Sequence, residues 1–566
     1  MSLWEPIEAV AATPERDAVG RPPAELRGPH ARTLGTMAAR LARGLCRESP
    51  AIFVVSLGLD LGAAYYLVFR LNYLAGDALS RVANAFYVLF SRDPHLAAIG
   101  LIWNPLPSFL DLPLVALKGW FPWLVNRGFA GNIETAYFGA ASAVVIGLLL
   151  RDAGVGRALR LGLVAAWAAN PMVLLYSANG MSDIILMFFL LLSSLLLLRW
   201  LRGPRDILLV GIGVTVATAT LVRYEAIPFA FLVLAVIGVA QWRGGARGRE
   251  LEARLLLYGL PVAFAVLFWV GTNAILMHDP LYFLNGAYGN LSQTQVALGG
   301  QQAPMRLESW PAAAGFVALE VARLYPAYPL CALVALALAI RRRQAWAGLA
   351  VVLMTTSAFL LMAYLIHRGS LALLLRYFMS AIPFAFVLAA YSLGLVRGRV
   401  ARAAFGAALF ALLAISDAAS LGAMSNPGMG LAEHAVVASA LRNRVLPTDS
   451  HLQELRLGPS ILRLDPRRRL ILIDTFEGGP IILGSPDPRL FVVTSDLDFE
   501  AALNDPQAYH VGYFLVPAPV GVGRLDAINR RYPGLWSDGD GFATRVASLG
   551  TPLHWRLYRI TGPAPQ

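Results

Sequence analysis

Long apolar segments, separated by short polar ones, fill the chain up to about residue 425. A helix needs about 17–25 apolar residues to cross a bilayer, and about eleven segments qualify. They lie near residues 51–70, 132–150, 157–176, 182–200, 206–222, 225–241, 255–277, 320–340, 346–366, 376–395 and 402–422. Segment 106–124 is also apolar, but Pro107, Pro113 and Pro122 interrupt it and Pro105 precedes it, which predicts a re-entrant or interfacial piece. The pattern predicts a polytopic α-helical membrane protein.

The stretch from Leu71 to Asn104 follows the first span and is more polar than a membrane helix. Its apolar side chains recur at helical spacing, at Leu79, Val82, Phe86 and Leu89. This spacing predicts an amphipathic helix that lies at the membrane surface. Asp77 stands at the start of this helix, where it could act as the N-cap, take part in chemistry, or both.

A different pattern begins at about residue 430. Short apolar runs bounded by Gly, Pro and Asp predict strands at 470–474, 490–496, 511–519 and 555–560. Residues 498–504 and 524–531 are predicted to be helices. We therefore expect a small α/β domain over residues 430–566. It has no Gly-rich phosphate loop and no His or Cys cluster with metal-ligand spacing.

Composition and charge agree with a membrane protein. Only 14% of the 566 residues are charged, against about 25% in soluble domains. The net charge of +12 comes from arginines in short loops, which the positive-inside rule explains without a nucleic-acid partner. Cys46 and Cys331 suggest neither a disulfide framework nor a zinc site.

The basic loops also predict an orientation. Loops 151–160, 199–205, 243–254, 341–343 and 397–402 fall on one side of the membrane, which is therefore cytoplasmic. Residues 1–47 are then a disordered cytoplasmic tail, and residues 48–425 a membrane module with an outer loop at 71–131. We expect a multi-pass protein of the cytoplasmic (inner) membrane, whose active site and C-terminal domain face the periplasm or exterior.

Polar motifs occur at the outer ends of several predicted helices. Asp77, Arg81, Asp93 and His95 lie in the first outer loop, and the others lie in SANGMSD (177–183), LVRYEA (221–226), MHDPLYF (277–283), HRG (367–369) and LRYF (375–378). Ionisable residues at membrane depth are costly and are candidates for function. We expect these motifs to converge around one cavity.

This arrangement resembles the GT-C superfamily of glycosyltransferases. The resemblance rests on the motif GDALSR (76–81) in the first outer loop, the amphipathic helix, about eleven spans and an outer soluble domain. It covers residues 51–423, and the C-terminal domain by position only. The chain lacks the paired Asp-Glu of protein mannosyltransferases and the WWD-type motif of oligosaccharyltransferases. Its layout is closer to bacterial arabinosyl- and mannosyltransferases that use decaprenyl-phosphate sugars.

The resemblance implies roles for individual residues. Members of the superfamily generally take sugars from polyprenyl-phosphate carriers, so Asp77 would be the catalytic base and Asp183 the second acidic residue. The expected phosphate-binding residues are Arg81, Arg223, His278 and Arg376. The expected substrate-binding residues are Asp93, His95, Glu225, Tyr282, His367 and Tyr377.

Structural roles are open for several of these residues. Arg81 could simply pair with Asp77, and Asp93 could begin a helix with Pro94 at its first position. Asp183 could join an N-cap network with Asn179 and Ser182. Arg223 and Glu225 could form an internal ion pair.

The expected function is therefore transfer of a sugar from a polyprenyl-phosphate donor to an extracytoplasmic glycan, lipid or protein acceptor, with inversion. Residues 285–310 form a long polar loop that could close over the acceptor. The expected partners are the donor, the acceptor and membrane lipids, with no nucleic acid. No cofactor is required, and a divalent cation is possible. The alternatives are a polyprenyl-lipid or glycolipid transporter, which would show repeated halves, and a cell-wall scaffold.

Overall fold

The computed structural model describes residues 48–289, 292–293, 296, 305–446, 450–464, 468–550 and 555–565. The predicted disordered tail 1–47, with Cys46, lies outside these described residues. Most of the polar stretch 290–304 does as well, so the expected closing loop 285–310 is described only in part.

Helices dominate the first 425 residues. In chain order they are α1 (Ser49–Tyr65, extended to Arg70 by a π-helical turn), α2 (Gly76–Phe90), α3 (Leu106–Val115), α4 (Trp123–Asn126), α5 (Phe129–Asp152), α6 (Arg157–Ala169), α7 (Pro171–Ala178), α8 (Asp183–Arg202), α9 (Asp206–Thr220), α10 (Ala226–Arg243), α11 (Gly248–Met277), α12 (Tyr282–Asn285), α13 (Trp310–Leu324), α14 (Ala327–Arg341), α15 (Ala345–Arg368), α16 (Ala381–Leu395, preceded by a 3₁₀ turn Leu375–Phe378) and α17 (Arg399–Ser425).

Within the described residues, eight helices are long and apolar enough to cross a membrane: α1, α5, α8, α10, α11, α15, α16 with its preceding turn, and α17. The count rises to ten if the bent pairs α6–α7 and α13–α14 each form one span. Helix α9 is apolar but has only 15 residues. Apolar helices therefore occupy every predicted position, although segments 157–176 and 320–340 are broken where a straight span was expected.

Both breaks occur at a proline and are held by the same carboxylate. The axis bends by 62° between α6 and α7, at Pro171, and by 104° between α13 and α14, at Pro326. Proline cannot donate the helical hydrogen bond and disfavours helical geometry in the residue before it. Asp417 of α17 accepts hydrogen bonds from Asn170 at 2.7 Å and from the Tyr325 hydroxyl at 3.2 Å.

The predicted amphipathic helix is confirmed as α2. Its apolar side chains at Leu79, Val82 and Phe86 are buried. The N-cap is Ala75, which makes no side-chain capping bond, so of the roles left open for Asp77, that of the N-cap does not apply. Asp77 instead lies in the first turn. Segment 106–124 forms the short elements α3 and a 3₁₀ turn rather than a span.

The C-terminal residues form a sheet with flanking helices. The elements are α18 (His434–Arg442), α19 (Ser450–Leu462), β1 (Leu470–Ile473), α20 (Thr475–Leu483), β2 (Phe491–Val493), α21 (Phe499–Asn504), β3 (Val511–Pro517), α22 (Ala527–Arg531), α23 (Leu535–Asp538), β4 (Ala543–Leu549) and β5 (Trp555–Ile560). The strand order is β2-β1-β3-β5-β4. The first three strands are parallel, and β3–β5 and β5–β4 are antiparallel.

Polar contacts join this sheet to the segment that follows α2. Arg92 donates to Asp496 at 3.1 Å and also to Asp498. The backbone N–H of Leu497 donates to the Asp93 carboxylate at 3.1 Å. The segment that follows α1 therefore carries both the amphipathic helix and the attachment of the C-terminal domain.

Candidate active site

Six charged side chains from four separate places in the chain meet near the start of α2. Two come from α2, one from the start of α8, two from the turn between α9 and α10, and one from the 3₁₀ turn before α16. They are Asp77, Arg81, Asp183, Arg223, Glu225 and Arg376. We call these residues the charged cluster. All six were predicted from the sequence as site residues.

Asp77 and Arg376 form the accessible ion pair of the cluster. Arg376 Nη1 lies 3.0 Å from Asp77 Oδ2, and 39% of the Asp77 side chain is exposed against 14% for Arg376. Arg376 also lies 3.8 Å from the sulfur of Met181 and above the ring of Tyr377. Burial alone would raise the pKa of Asp77, but Arg376 and Arg81 hold it below its usual range. The carboxylate is therefore ionised and can accept a proton.

Arg223 is compensated by two carboxylates. It lies 2.7 Å from Glu225 and 3.3 Å from Asp183, which confirms the predicted internal ion pair. Burial favours a lower pKa for Arg223, but Asp183 and Glu225 raise that pKa above its usual range. Asp183 is the first residue of α8, and the N-cap is Ser182 without a side-chain capping bond. The alternative left open for Asp183, a part in the N-cap network, therefore does not apply, because Ser182 is the N-cap.

Arg81 is the least compensated cation of the cluster. It is buried, and its hydrogen bond within the described residues is a long one of 3.5 Å to the backbone oxygen of Asp77. Its Nε atom has no partner among the described residues, and its guanidinium lies 5.2 Å from the ring centre of Trp103. Burial lowers the pKa of Arg81, and Asp77 and Asp183 only partly offset this effect. An incoming anion would relieve this imbalance.

A cavity of about 490 Å³ lies between α2 and the C-terminal domain. Ser80, Asn84 and Tyr87 of α2 form one wall. Three more of the residues predicted for the site line it: His95, His278 and Tyr282. The sequence analysis predicted one polar cavity. In the structure, the predicted residues are divided between the charged cluster and this neighbouring cavity.

Two predicted residues have other surroundings. Asp93 binds the backbone of the C-terminal domain, and the helix start left open at Asp93–Pro94 is not observed, because a 3₁₀ turn begins only after His95. His367 bonds to the backbone oxygen of Leu307 at 3.0 Å and packs on Trp310. These contacts keep His367 with the end of α15 rather than with the charged cluster.

Sequence analysis missed three carboxylates near the cluster. Asp111 of α3 and Glu134 of α5 are buried and interact with each other and with Arg81. Glu433 is buried and accepts a 2.6 Å hydrogen bond from the hydroxyl of Tyr176. The cost of an acid in an apolar segment could have identified Asp111 and Glu134. Glu433 lies in a polar linker, where sequence carries no such signal.

The described part of the chain has no group of three or more His, Cys, Asp or Glu side chains that could hold a metal ion. The charges at the cluster are instead balanced among arginines and carboxylates. The chemistry that these residues can support directly is anion binding and proton acceptance.

Two crystal structures of ArnT from Cupriavidus metallidurans, a GT-C glycosyltransferase, resemble the chain over most of its length. The apo structure is 13% identical, covers 91% of this chain and 98% of ArnT, and gives a TM-score of 0.50. The structure bound to undecaprenyl phosphate is 14% identical, covers 92% and 100%, and gives 0.52. No protein family and no curated protein matches the sequence. The likeness shows a GT-C fold with a C-terminal sheet domain.

Proposed function

We propose that this chain with a GT-C fold is an inverting glycosyltransferase, which moves a sugar from a polyprenyl-phosphate donor to an acceptor outside the cytoplasmic membrane. The observation that carries the proposal is the ionised, partly exposed carboxylate of Asp77 beside the under-compensated Arg81. The undecaprenyl phosphate bound to ArnT supports a polyprenyl lipid as partner. The predicted orientation places the charged cluster at the outer face.

Arg81 and Arg376 are the proposed donor-binding residues. A guanidinium offers a fork of N–H donors that suits phosphate oxygens. Arg81 has an unused Nε, and Arg376 has an unused Nε of its own beside its bond to Asp77. Arg223 is already paired with Asp183 and Glu225, so we propose that it contributes to the electrostatic potential around the phosphate without binding it directly. Asp183 and Glu225 act by fixing Arg223.

Donor binding would also change the basicity of Asp77. In the free protein, Arg376 and Arg81 keep its pKa low, which makes the carboxylate a weak base. A bound phosphate competes for the same guanidinium groups, and its negative charge raises the pKa of a nearby carboxylate. A base works best when its pKa approaches the working pH. Binding of the donor would therefore make Asp77 a stronger base toward the acceptor hydroxyl.

In the transfer step, the acceptor hydroxyl oxygen forms a bond to the anomeric carbon. The bond from this carbon to the phosphate oxygen breaks, and its electron pair leaves with the lipid phosphate. The acceptor proton passes to Asp77, and attack from the face opposite the leaving group inverts the anomeric centre. Arg81 and Arg376 stabilise the charge that develops on the departing phosphate.

The test is Asp77→Asn in the full chain, assayed with a panel of labelled undecaprenyl-phosphate sugars. The amide keeps the size of the side chain but cannot accept the proton, so we expect transfer to fall by about 10²–10⁴-fold. Binding of undecaprenyl phosphate should persist. The matched control is Asp505→Asn, an exposed carboxylate of the C-terminal domain, which should transfer normally. An Asp77→Asn protein that binds the lipid and transfers at the normal rate would refute the proposal.

A lipid transporter is the other function to distinguish, because transporters often contain broken helices. The bent pairs α6–α7 and α13–α14 are such helices, but Asp417 ties both breaks together within the bundle. Transport has no need of a base at Asp77. Lipid movement across vesicles that survives Asp77→Asn, with no sugar transfer by the wild-type chain, would favour the transporter.

A further inference from the structure

The cavity between α2 and the C-terminal domain has three kinds of wall. Ser80, Asn84 and Tyr87 come from one face of α2. The segment that ends at Trp103 and the end of α11 with His278 form the membrane side. Thr475 to Phe476 and Thr494 to Glu500 close it from the C-terminal domain. Its volume of about 490 Å³ falls in the range of small-molecule sites, about 300–1,000 Å³.

The charges of this cavity differ from those of the cluster at Asp77. Among the described residues that line it, the ionisable groups are two carboxylates, Asp496 and Glu500, with histidines and tyrosines, and neither Arg nor Lys is present. Residues 290–304 of the neighbouring outer loop contain no charged side chain in the sequence. Arg92 contacts Asp496 but is not a lining residue. Arg530 and Arg81 likewise lie against the lining residues Tyr288 and Trp103 without lining the cavity themselves. Within the described lining, the cavity therefore offers no guanidinium or ammonium directly to a phosphate.

The walls instead offer hydroxyls, amides and aromatic rings. Tyr288 stacks on Phe476 with 5.2 Å between ring centres, and its hydroxyl donates to Asp474. The Tyr87 hydroxyl is buried and has no partner among the described residues, and the same is true of Ser495 Oγ. Buried hydroxyls without partners are costly, and they add to the polar character of this region. A ligand rich in hydroxyl groups would pair with lining hydroxyl and amide groups such as those of Ser80 and Asn84, and would lie against the aromatic rings.

The cavity begins one helical turn from Asp77. At 100° per residue, Asp77, Ser80 and Asn84 fall on one face of α2, with Asn84 almost directly in line with Asp77. Ser80 lies about 4.5 Å further along the helix axis than Asp77, because each residue adds about 1.5 Å. A molecule in the cavity can therefore present a hydroxyl to the Asp77 carboxylate.

We propose that this cavity holds the acceptor, and that the acceptor presents an uncharged, hydroxyl-rich head group, a sugar or polyol, rather than a phosphorylated one. This inference rests on the proposed function. It divides the site by charge: the arginines at the Asp77 end hold the donor phosphate, and the arginine-free walls hold the acceptor. A phosphorylated acceptor would meet Glu500 without a compensating cation among the described lining residues.

The experiment measures binding without turnover. The full chain in lipid nanodiscs is titrated with methyl α-mannoside and methyl β-glucoside, with the 6-phosphates of both, and separately with undecaprenyl phosphate; saturation-transfer NMR reports the sugars. We expect the neutral glycosides to bind and their phosphates to bind at least about fivefold more weakly. Asn84→Leu should weaken the neutral glycosides and leave undecaprenyl phosphate binding intact.

A charge-reversal variant is expected to bind phosphorylated glycosides more tightly, and a misfolded protein would not show tighter binding. Glu500 is exposed at the cavity wall, so Glu500→Lys should tighten binding of the phosphorylated glycosides by about two- to fivefold at low salt. Glu308→Lys, the same change at an exposed residue outside the lining, should have no effect.

Preferential binding of the phosphates to the wild-type chain would overturn the acceptor assignment and leave the proposed donor site standing. An equal response of Glu500→Lys and Glu308→Lys would also overturn it. Failure of the wild-type chain to bind undecaprenyl phosphate would refute the proposed donor, and with it the assignment of this cavity to an acceptor.

Discussion

At the scale of single residues, Arg81 differs from the other two arginines of the charged cluster in its partners. Arg223 faces two carboxylates and Arg376 faces one, whereas Arg81 has one long bond to a backbone oxygen. A buried cation with unused N–H groups binds an anion strongly because little has to be displaced. Arg81 is therefore the residue on which donor affinity should depend most.

We expect Arg81→Gln to raise the KM for the polyprenyl-phosphate donor by about 10–150-fold, the loss of one charge-assisted hydrogen bond worth about 1.5–3 kcal/mol. The measurement is initial transfer rate against donor concentration. Arg489→Gln, at an exposed arginine of the C-terminal domain, serves as the control. A donor KM that changes equally in both variants would remove Arg81 from the phosphate site.

The pKa of Asp77 leads to a second expectation. Carboxyl groups ordinarily titrate at about pH 4. The low pKa of Asp77 in the free protein means that this base stays ionised until the pH falls below that ordinary range. The acid limb of kcat/KM reports this free state, and the limb of kcat reports the donor complex. Because the bound phosphate raises the pKa, the kcat limb should lie at the higher pH. Coincident limbs would contradict donor-dependent activation.

The charged cluster shows which residues a sequence can identify. Asp77, Arg81, Asp183, Arg223, Glu225 and Arg376 were found because each is an ionisable residue beside or between apolar segments, on the side predicted to be the outer one. The partners of each residue were not found, since Arg376 reaches Asp77 across 299 positions. His367 satisfies the same sequence criterion but bonds locally to Leu307. Position along the chain therefore identifies candidate residues, and only the packing of the fold shows which of them come together.

At the scale of elements, Asn170 is the capping residue at one of the two helix breaks. It also contacts Asp417, the carboxylate that reaches both breaks. The Asn170 side chain accepts the first N–H groups of α7 and donates to Asp417. Asn170→Ala removes the cap and leaves Asp417 with one donor fewer. We expect a loss of about 1–2 kcal/mol in unfolding free energy from the cap alone, measured by thermal unfolding in detergent. Ser425→Ala, at an exposed helix end, should lose less than about 0.5 kcal/mol.

The differences between predicted and observed elements have local causes. Segment 320–340 is apolar enough to qualify as a span despite Glu320 and Arg323, so hydropathy does not reveal the break that Pro326 introduces. Strand β4 was missed because it lies at the sheet edge with mostly exposed side chains, and an edge strand need not be apolar. The amphipathic helix α2 was predicted because one of its faces packs into the core, which produces the 3.6-residue period.

At the scale of the whole molecule, the contact of Arg92 with Asp496 and Asp498 attaches the C-terminal domain to the membrane part. The Asp496 side chain is fully buried in this pair. Arg92→Gln leaves that carboxylate without its cation, which costs about 3–5 kcal/mol for a buried pair. We expect faster hydrogen exchange in β2 and α21 and a higher acceptor KM. Donor binding should be unchanged.

The comparison variant is Arg468→Gln, which breaks an exposed pair with Asp487. Exposed pairs contribute about 0–1 kcal/mol, so hydrogen exchange in β2 and α21 should barely change. If both variants loosen the domain to the same degree, the Arg92 contact is not what attaches it.

Helix α2 carries its two residues of the charged cluster, Asp77 and Arg81, on its first two turns and the cavity wall on its second to fourth turns. Under the proposed function, separable parts of the molecule would hold the two substrates: the membrane bundle would hold the donor, and the sheet domain much of the acceptor. A chimera that grafts the C-terminal domain of another protein with this fold onto the bundle should keep its lipid carrier and acquire a new glycan preference. Such modular exchange would let product structure diversify without alteration of the carrier supply.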